Sequence, residues 1–488
     1  MLLLRKIFFY LFVAIYLLVC PLLILYGLGY TFEPGLEQGI VKSGLIYLST
    51  APPGATIYLG NRRYTRKTPA VLPRLLPGDY EVKLILKNKK PWAYTLPVEA
   101  GKATVLERIL LLPAVQKPEI LLPEAFAGLI PISGGHVFLI QKTPRIQDLF
   151  AYDWKEKKIW PLLPEHSPFH GAVVLSHHNI KGSSALLLRI NFQSTEKFLW
   201  VVPRKEKTQI KDLTGLFSGR PTRVEWDPQA KKYLFAFKDG GLDRLDIVSG
   251  TAEPKFLSNV QGFGLFEKKI YALKLDGSFE RVDLEGNGEK QLLHDSILAN
   301  SLFGEKENYE IKVFAEDLIL FLGENGELLA NRLPYRFVNE GVLGLEYYPK
   351  HKRVLIWKED ALGILDFSKE RAEKEIFEAG PEVAWVFKKG EKIEQAFWVY
   401  EGSHILFRDG DKVFLLELET YGKPRLDYLV EVKHKSSIFY SEEEGKLYYL
   451  DPTTGQPSSI EILPRLEILL LPFPERKEEK KKFRIGEL

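Results

Sequence analysis

Nine histidines, one cysteine and 64 acidic side chains set the limits on the chemistry open to this chain. His166 and His170 stand four apart in HSPFH, a spacing that puts two imidazoles on one face of a helix. Pro168 between them breaks such a helix, so the pair reads as part of a polar loop. His177 and His178 adjoin in a strand-like run, where neighbours point to opposite faces and cannot share one ion, so they read as structural or exposed. Cys20 is the only thiol, which excludes a disulfide within the chain and a multi-thiolate metal site. No G-x-S-x-G elbow and no G-x-x-x-x-G-K-[ST] phosphate loop occurs. Carboxylates are abundant, and two of them meeting across a pocket would suffice for a glycosidase. Trp154, Trp160, Trp200, Trp226, Trp357, Trp385 and Trp398 could stack on sugars, although their large apolar area suits a core better. No catalytic, cofactor-binding or metal-ligating residue is assigned on these grounds, and no cofactor is expected.

The elements that would position any site are mostly β. Aromatic residues make up 12% of the 488, with 30 prolines and 38 glycines, a mix that favours pleated strands and turns over helical bundles. The length and a 45% hydrophobic content call for two or three folded units. Lysine and arginine total 67 against 64 acids, a near balance with no basic stripe, so nucleic acid is not an expected partner.

Ile7 to Tyr26 carries no charge. A helix rising about 1.5 Å per residue covers roughly 30 Å over that length, the thickness of a hydrocarbon core. Arg5 and Lys6 precede it and the first charges after it are Glu33 and Glu37, which places the N-terminus in the cytoplasm and the bulk of the chain outside. A cleaved signal peptide would have a shorter apolar core and an A-x-A site, which is missing. A lipidated cysteine at Cys20 would want a small residue before it, where Val19 stands. An uncleaved single-pass anchor in the cytoplasmic membrane, with a periplasmic bulk, is the expectation. Pro21 could kink the helix.

After a linker over 30–44, short alternating runs bounded by Pro-Gly and Gly signals predict antiparallel strands in a small β-sandwich over 45–113. Pro53-Gly54-Ala55, Ile57-Tyr58-Leu59-Gly60, Lys67-Thr68-Pro69, Leu76-Pro77-Gly78-Asp79-Tyr80-Glu81-Val82 and Val98-Glu99-Ala100-Gly101-Lys102 together resemble the PEGA domain. That resemblance spans 49–112 and departs at Asn88-Lys89, where family members often carry a glycine and an aromatic. It implies display on the cell envelope, with contact to surface polymers or proteins, and brings no catalytic residues.

From Pro118 to Ile462 an apolar-x-x-apolar-acid submotif recurs, ending at Asp153, Asp246, Asp283, Asp366, Glu417 and Asp451. Further copies are expected near Val202 and Leu329. The run VEWDPQAKKYLFAFKDGGLDRLDI from Val224 matches LEYYPKHKRVLIWKEDALGILDF from Leu345, with Pro228 and Pro349 in equivalent places. A repeat of about 40 to 45 residues with several short strands is the signature of a β-propeller, here of seven or eight blades over 114–465. By period and strand-turn-strand pattern this part is similar to WD40-like and TolB-like propellers, without their repeated Gly-His and Trp-Asp pairs; two stacked β-sandwiches are the competing architecture. The charges of Glu475 to Lys482, within 466–488, read as a solvated tail or a polymer-binding arm. The chain is therefore expected to be mostly β, with an N-terminal transmembrane helix, a PEGA-like β-sandwich and a propeller. Its expected role is a membrane-anchored binding or scaffolding protein of the envelope, meeting envelope proteins or surface polysaccharide. A glycan-acting hydrolase with carboxylates in the propeller funnel is the alternative.

Overall fold

The computed structural model describes residues 2–32, 39–132, 136–179, 185–227, 232–291, 303, 307–331, 335–368, 383–418 and 424–464. Glu33, Glu37, Pro228 and the segment 475–482 lie outside them. The described chain is mostly β and forms two compact units, the first reaching Leu112 and the second spanning Pro113–Ile462.

The first unit begins with a helix, Leu2–Gly27, apolar on every face. Phe8, Phe12, Leu18 and Leu23 are all more than half exposed, and an 18-residue window within Arg5–Gly27 has a mean hydropathy of 2.7. By length and composition it is able to cross a membrane. Its end is tied to the β domain, because the Gly29 carbonyl accepts from the Ser43 backbone N–H at 2.8 Å and from the Ser43 hydroxyl at 2.6 Å.

Two sheets follow, face to face. One has the order Arg62–Lys67, Thr56–Leu59, Gly78–Ile85, Trp92–Val98; the other has Ala70–Leu75, Gly44–Ala51, Ala103–Leu110. Alternation in GLIYLSTA sends Ile46 and Leu48 inward to meet Ile57, Val82, Leu84 and Trp92 of the opposite sheet. The turn motifs lock onto one another. Gly54 N–H donates to the Thr68 carbonyl at 2.8 Å, Ala55 N–H to the Thr68 hydroxyl at 2.9 Å, and the Thr50 and Thr68 hydroxyls pair at 2.6 Å. Asn88 adopts a φ of 62°, the left-handed conformation that asparagine tolerates, and so serves where a glycine would.

The second unit is a succession of antiparallel meanders, each entered by its first strand. Among the described residues, five four-stranded sheets and one eight-stranded sheet account for meanders 1 to 7, whose first strands are Gly128–Pro131, Val173–Asn179, Arg223–Trp226, Val260–Phe266, Tyr309–Ala315, Gly344–Tyr348 and Ile393–Val399. Meander 8 runs Phe439–Ser441, Lys446–Leu450, Pro457–Glu461, and takes its fourth strand, Glu119–Ile120, from the beginning of the unit.

Each meander is covered on both faces, which is why second strands such as YLFAF and LILFL read as unbroken apolar runs. Leu139 and Leu188 share a core between meanders 1 and 2, Leu187 and Trp226 between 2 and 3, and Phe235 and Phe263 between 3 and 4. Tyr271 and Phe321 join 4 to 5, Leu320 and Val354 join 5 to 6, and Leu355 and Phe407 join 6 to 7. Meander 8 packs on meander 1 through Tyr448, Phe138 and Trp154. Gln395 links meander 7 to 8, its amide oxygen accepting from Ile438 N–H at 2.9 Å.

The eight-stranded sheet is meanders 4 and 5 joined by parallel pairing of their first strands at Gly262 with Tyr309 and Phe263 with Glu310. Only glycine permits that approach, since a Cβ at Gly262 would stand 2.3 Å from the Tyr309 carbonyl oxygen and one at Gly264 2.2 Å from that of Ile311.

The segments matched in sequence from Val224 and Leu345 occupy the first three strands of meanders 3 and 6. The third strands of meanders 2 and 5 end at Val202 and span Leu328–Ala330, where copies of the submotif were expected. One copy lies elsewhere in its meander. Asp153, Asp246, Asp283, Asp366 and Glu417 each end a third strand, whereas Asp451 follows the second strand of meander 8, whose third strand, Pro457–Glu461, ends on Glu461.

Candidate functional site

The recurrent acids are turn-makers. Asp153 Oδ1 accepts from Lys155 N–H and Glu156 N–H at 2.9 Å, and Asp246 Oδ1 does the same for Val248 and Ser249. Asp283 and Asp451 repeat the arrangement, and Asp366 Oδ1 accepts from the backbone N–H and the hydroxyl of Ser368. A side-chain carboxylate that takes two backbone donors closes the turn to the next strand. Desolvation pushes the Asp246 pKa up, but the Ser249 and Val248 amides outweigh it and the carboxyl sits below its usual value. Their spacing is thus a signal of fold.

A cavity of 560 Å³ is a different matter. First strands of four successive meanders supply its wall: His177 and His178 from meander 2, Arg223 to Trp226 from meander 3, Leu265 from meander 4, and Tyr309 to Val313 from meander 5. Four charged groups converge there. The Arg223 guanidinium pairs with Glu225, lies 3.7 Å from Glu310, and stands over the Phe263 ring at 4.9 Å. Glu310 is bonded in turn to Lys312. A fifth, Glu324, takes the Asn308 amide at 2.9 Å, so the wall is densely polar and holds two cations against three carboxylates.

Both histidines line this cavity, His177 exposed and His178 half-buried. Their strand shifts register between Val174 and Ser176, departing from strict alternation. Desolvation lowers the pKa of each; the charge of His178 adds to the effect at His177, and that of Arg189 at His178. They therefore present neutral imidazoles, able to donate and accept, at neutral pH. Trp226 floors one side, 5% exposed and stacked on Trp200 at 6.3 Å and 15°. Its indole N–H has no acceptor among the described residues.

Other candidates lie apart. His166 and His170 are exposed in turns. Trp154 and Trp398 are buried in inter-meander cores, and Trp160, Trp357 and Trp385 are half-buried against them. No cluster of three or more potential metal ligands occurs among the described residues. A group that sequence did not reveal is Glu346, on the first strand of meander 6. Burial pushes its pKa up to about 7 against the pull of the Trp398 N–H, with the charge of Glu442 adding to the rise.

Residues 43–110 match the PEGA domain. No curated protein matches the chain. Among solved structures, the computationally designed Ika8 protein is similar at 11% identity and a TM-score of 0.43, over 70% of this chain and 96% of that one. The β-propeller domain of Myceliophteria thermophila Cps50 (Swd1) is similar at 10% identity and a TM-score of 0.37, covering 71% and 100%. PorZ, a surface component of the type-IX secretion system of Porphyromonas gingivalis, is similar at 12% identity and a TM-score of 0.37, covering 69% and 42%. The chain thus carries a PEGA domain behind an apolar N-terminal helix, followed by a larger unit of antiparallel meanders.

Proposed function

We propose that this is a membrane-anchored, extracytoplasmic binding or scaffolding protein of the cell envelope. The helix is its single-pass anchor, the PEGA domain stands over 45–113, and the unit over 114–465 is an eight-bladed WD40-like or TolB-like β-propeller that receives a partner. The observation carrying this reading is a helix whose apolar side chains are exposed on every face and whose end is pinned to a PEGA domain. Such a surface is stable in lipid and costly in water. The propeller is supported by the sequence of shared cores from meander 1 to meander 7, by the core between meanders 8 and 1, and by the borrowed strand Glu119–Ile120. The cavity walled by Arg223, Glu225, Glu310 and Lys312 fits a polar partner of little net charge, such as a segment of surface polysaccharide or of an envelope protein.

Protease added to intact spheroplasts of the source cell tests the topology: digestion of everything past about Glu33 is expected, and full protection overturns it. Envelope fractions passed over the immobilised full chain test the binding role. Retention that is lost in Arg223→Ala/Glu310→Ala supports it, and equal retention by both proteins removes the cavity from the mechanism.

A glycan hydrolase is the second reading, and Glu346 favours it as a carboxyl with a raised pKa near a second acid, Glu442. Two features weigh against it. Glu346 is not in the wall of the 560 Å³ cavity, and of the three carboxylates that are, Glu225 and Glu310 are engaged by cations and Glu324 by the Asn308 amide. Release of reducing sugar from envelope glycans by the purified chain, abolished in Glu346→Gln, would establish the hydrolase instead.

A further inference from the structure

We infer that the edge strand Arg62–Lys67 of the PEGA domain is a docking surface for the headgroups of anionic phospholipids in the bilayer that holds the helix. The inference rests on the anchor reading above.

The strand reads RRYTRK, with every residue exposed except Tyr64. It is one edge strand of its sheet, as Ala70–Leu75 is of the other, so these two edges of the sandwich lie consecutively in the chain. Between them is a groove of 350 Å³ lined by Arg62, Arg63, Arg66, Tyr64, Val71 and Pro73. Among the described residues, none of Arg62, Arg63, Arg66 or Lys67 forms an ion pair. Cations on an edge strand also discourage pairing with other chains. That role asks only for charge, and three further features point to a ligand at a particular place.

The first is position. Arg74, next after Pro73, donates to the Tyr26 hydroxyl and sets its guanidinium over the Tyr26 ring at 4.7 Å. Tyr26 is in the last turn of the membrane-length helix, where tyrosine marks the level of the headgroups. Val71 is three residues from Arg74, about 10 Å along an extended strand, so the groove opens at the depth of the headgroup layer.

The second is the backbone that makes the contact. Pairing of Gly44–Ala51 with Ala70–Leu75 slips between Gly44 and Ile46, and Arg74 in the bulge has a φ of 59°. A non-glycine residue holds the left-handed region at a cost, and here the bulge turns the arginine toward the helix end. The third is chemistry. Guanidinium groups bind phosphate oxygens in pairs, and a strip of them against an anionic leaflet gains from each charge within a Debye length of about 8 Å.

The test uses the full chain in lipid nanodiscs, read by backbone hydrogen exchange. One set contains only zwitterionic phosphatidylcholine, the other about one third phosphatidylglycerol. Several-fold slower exchange over 62–67 in the anionic discs is expected, lost in about 1 M salt and in Arg62→Gln/Arg63→Gln/Arg66→Gln, with unchanged exchange at Val82 and Leu84 showing that the variant is folded. Equal exchange over 62–67 in both discs overturns the inference and leaves the anchor standing. Failure of the chain to co-elute with discs overturns both. Stronger protection by soluble polyphosphate in zwitterionic discs than by phosphatidylglycerol also overturns it, in favour of a soluble polyanion.

Discussion

Trp398 holds Glu346 twice: its backbone N–H donates to Glu346 Oε2 at 2.8 Å and its indole N–H to the Glu346 carbonyl at 3.1 Å. The two bonds tie the first strands of meanders 6 and 7, and they place a carboxyl where burial lifts its pKa to about 7 from 4.5. An acid with a raised folded pKa binds its proton more tightly folded than unfolded, so stability falls as pH rises from about 4.5 to about 7 and is level above. The full loss is about 3 kcal/mol. Glu346→Gln is expected to equal the parent at pH 4 and exceed it at pH 8, measured by urea unfolding at each pH.

His404 works in the opposite sense. It is fully buried with Nδ1 2.8 Å from the Ser403 hydroxyl, and burial pushes its pKa down to about 3 from 6.5, with the charge of Arg425 adding to the effect. The unfolded chain takes up the proton first, so this contribution is whole above pH 6.5 and is lost as pH falls toward 3, by about 5 kcal/mol. His404→Gln is expected to shallow the decline in the urea midpoint between pH 6.5 and 4. The two variants separate trends that oppose each other in the parent.

The close approach of meanders 4 and 5 predicts an inversion of the usual effect of glycine replacement. Gly128, on the first strand of meander 1, has nothing within 4 Å of the place a Cβ would take, and Gly128→Ala is expected to be neutral or slightly stabilising through the unfolded chain. Gly262→Ala and Gly264→Ala drive a methyl against backbone and should each cost about 1–3 kcal/mol. Thermal melts of the three variants decide it, and equal melting temperatures would mean that the first strands part without cost.

Phe126 closes the second unit at its seam. It is 2% exposed, meets Phe150 edge-on at 6.2 Å, donates its N–H to the Gly455 carbonyl and, through its own carbonyl, accepts from Lys433 Nζ at 2.7 Å. Phe126→Ala is expected to lose about 3–4 kcal/mol, read as a lower denaturant midpoint for the transition of this unit. Nearby Glu119 takes Lys157 Nζ at 2.6 Å and Lys446 Nζ at 2.7 Å. Those two bonds hold its pKa down to about 2 from 4.5. Its contribution is therefore present above pH 4.5 and fades toward pH 2, and because the pair is substantially exposed Glu119→Gln should cost about 1 kcal/mol or less at pH 7.

Local signals carried much of the architecture. The charge-free run to Tyr26, the Pro-Gly turns at Pro53 and Pro77, and the acids at Asp153, Asp246, Asp283, Asp366 and Glu417 act over a few residues, and the strands fall where they direct. Asp451 misled because a carboxylate that closes a turn serves equally well after a second strand as after a third. The cavity was not legible, since Arg223 and Glu310 are brought together by packing of separate meanders rather than by spacing. Glu346 gave no sign for the same reason: its raised pKa comes from burial beside Trp398, on another meander. The groove at Arg62 was not legible, because the overall charge balance hides a short cationic strand and its nearness to Tyr26 depends on Arg74.

The borrowed strand Glu119–Ile120 also governs how the polypeptide is made. These two residues are made long before their partners Ser458 and Ser459, so the nascent molecule carries an unmatched ledge until the eighth meander arrives. A ribosome that stops short of Phe439 releases a product with that ledge and the Phe138 face bare.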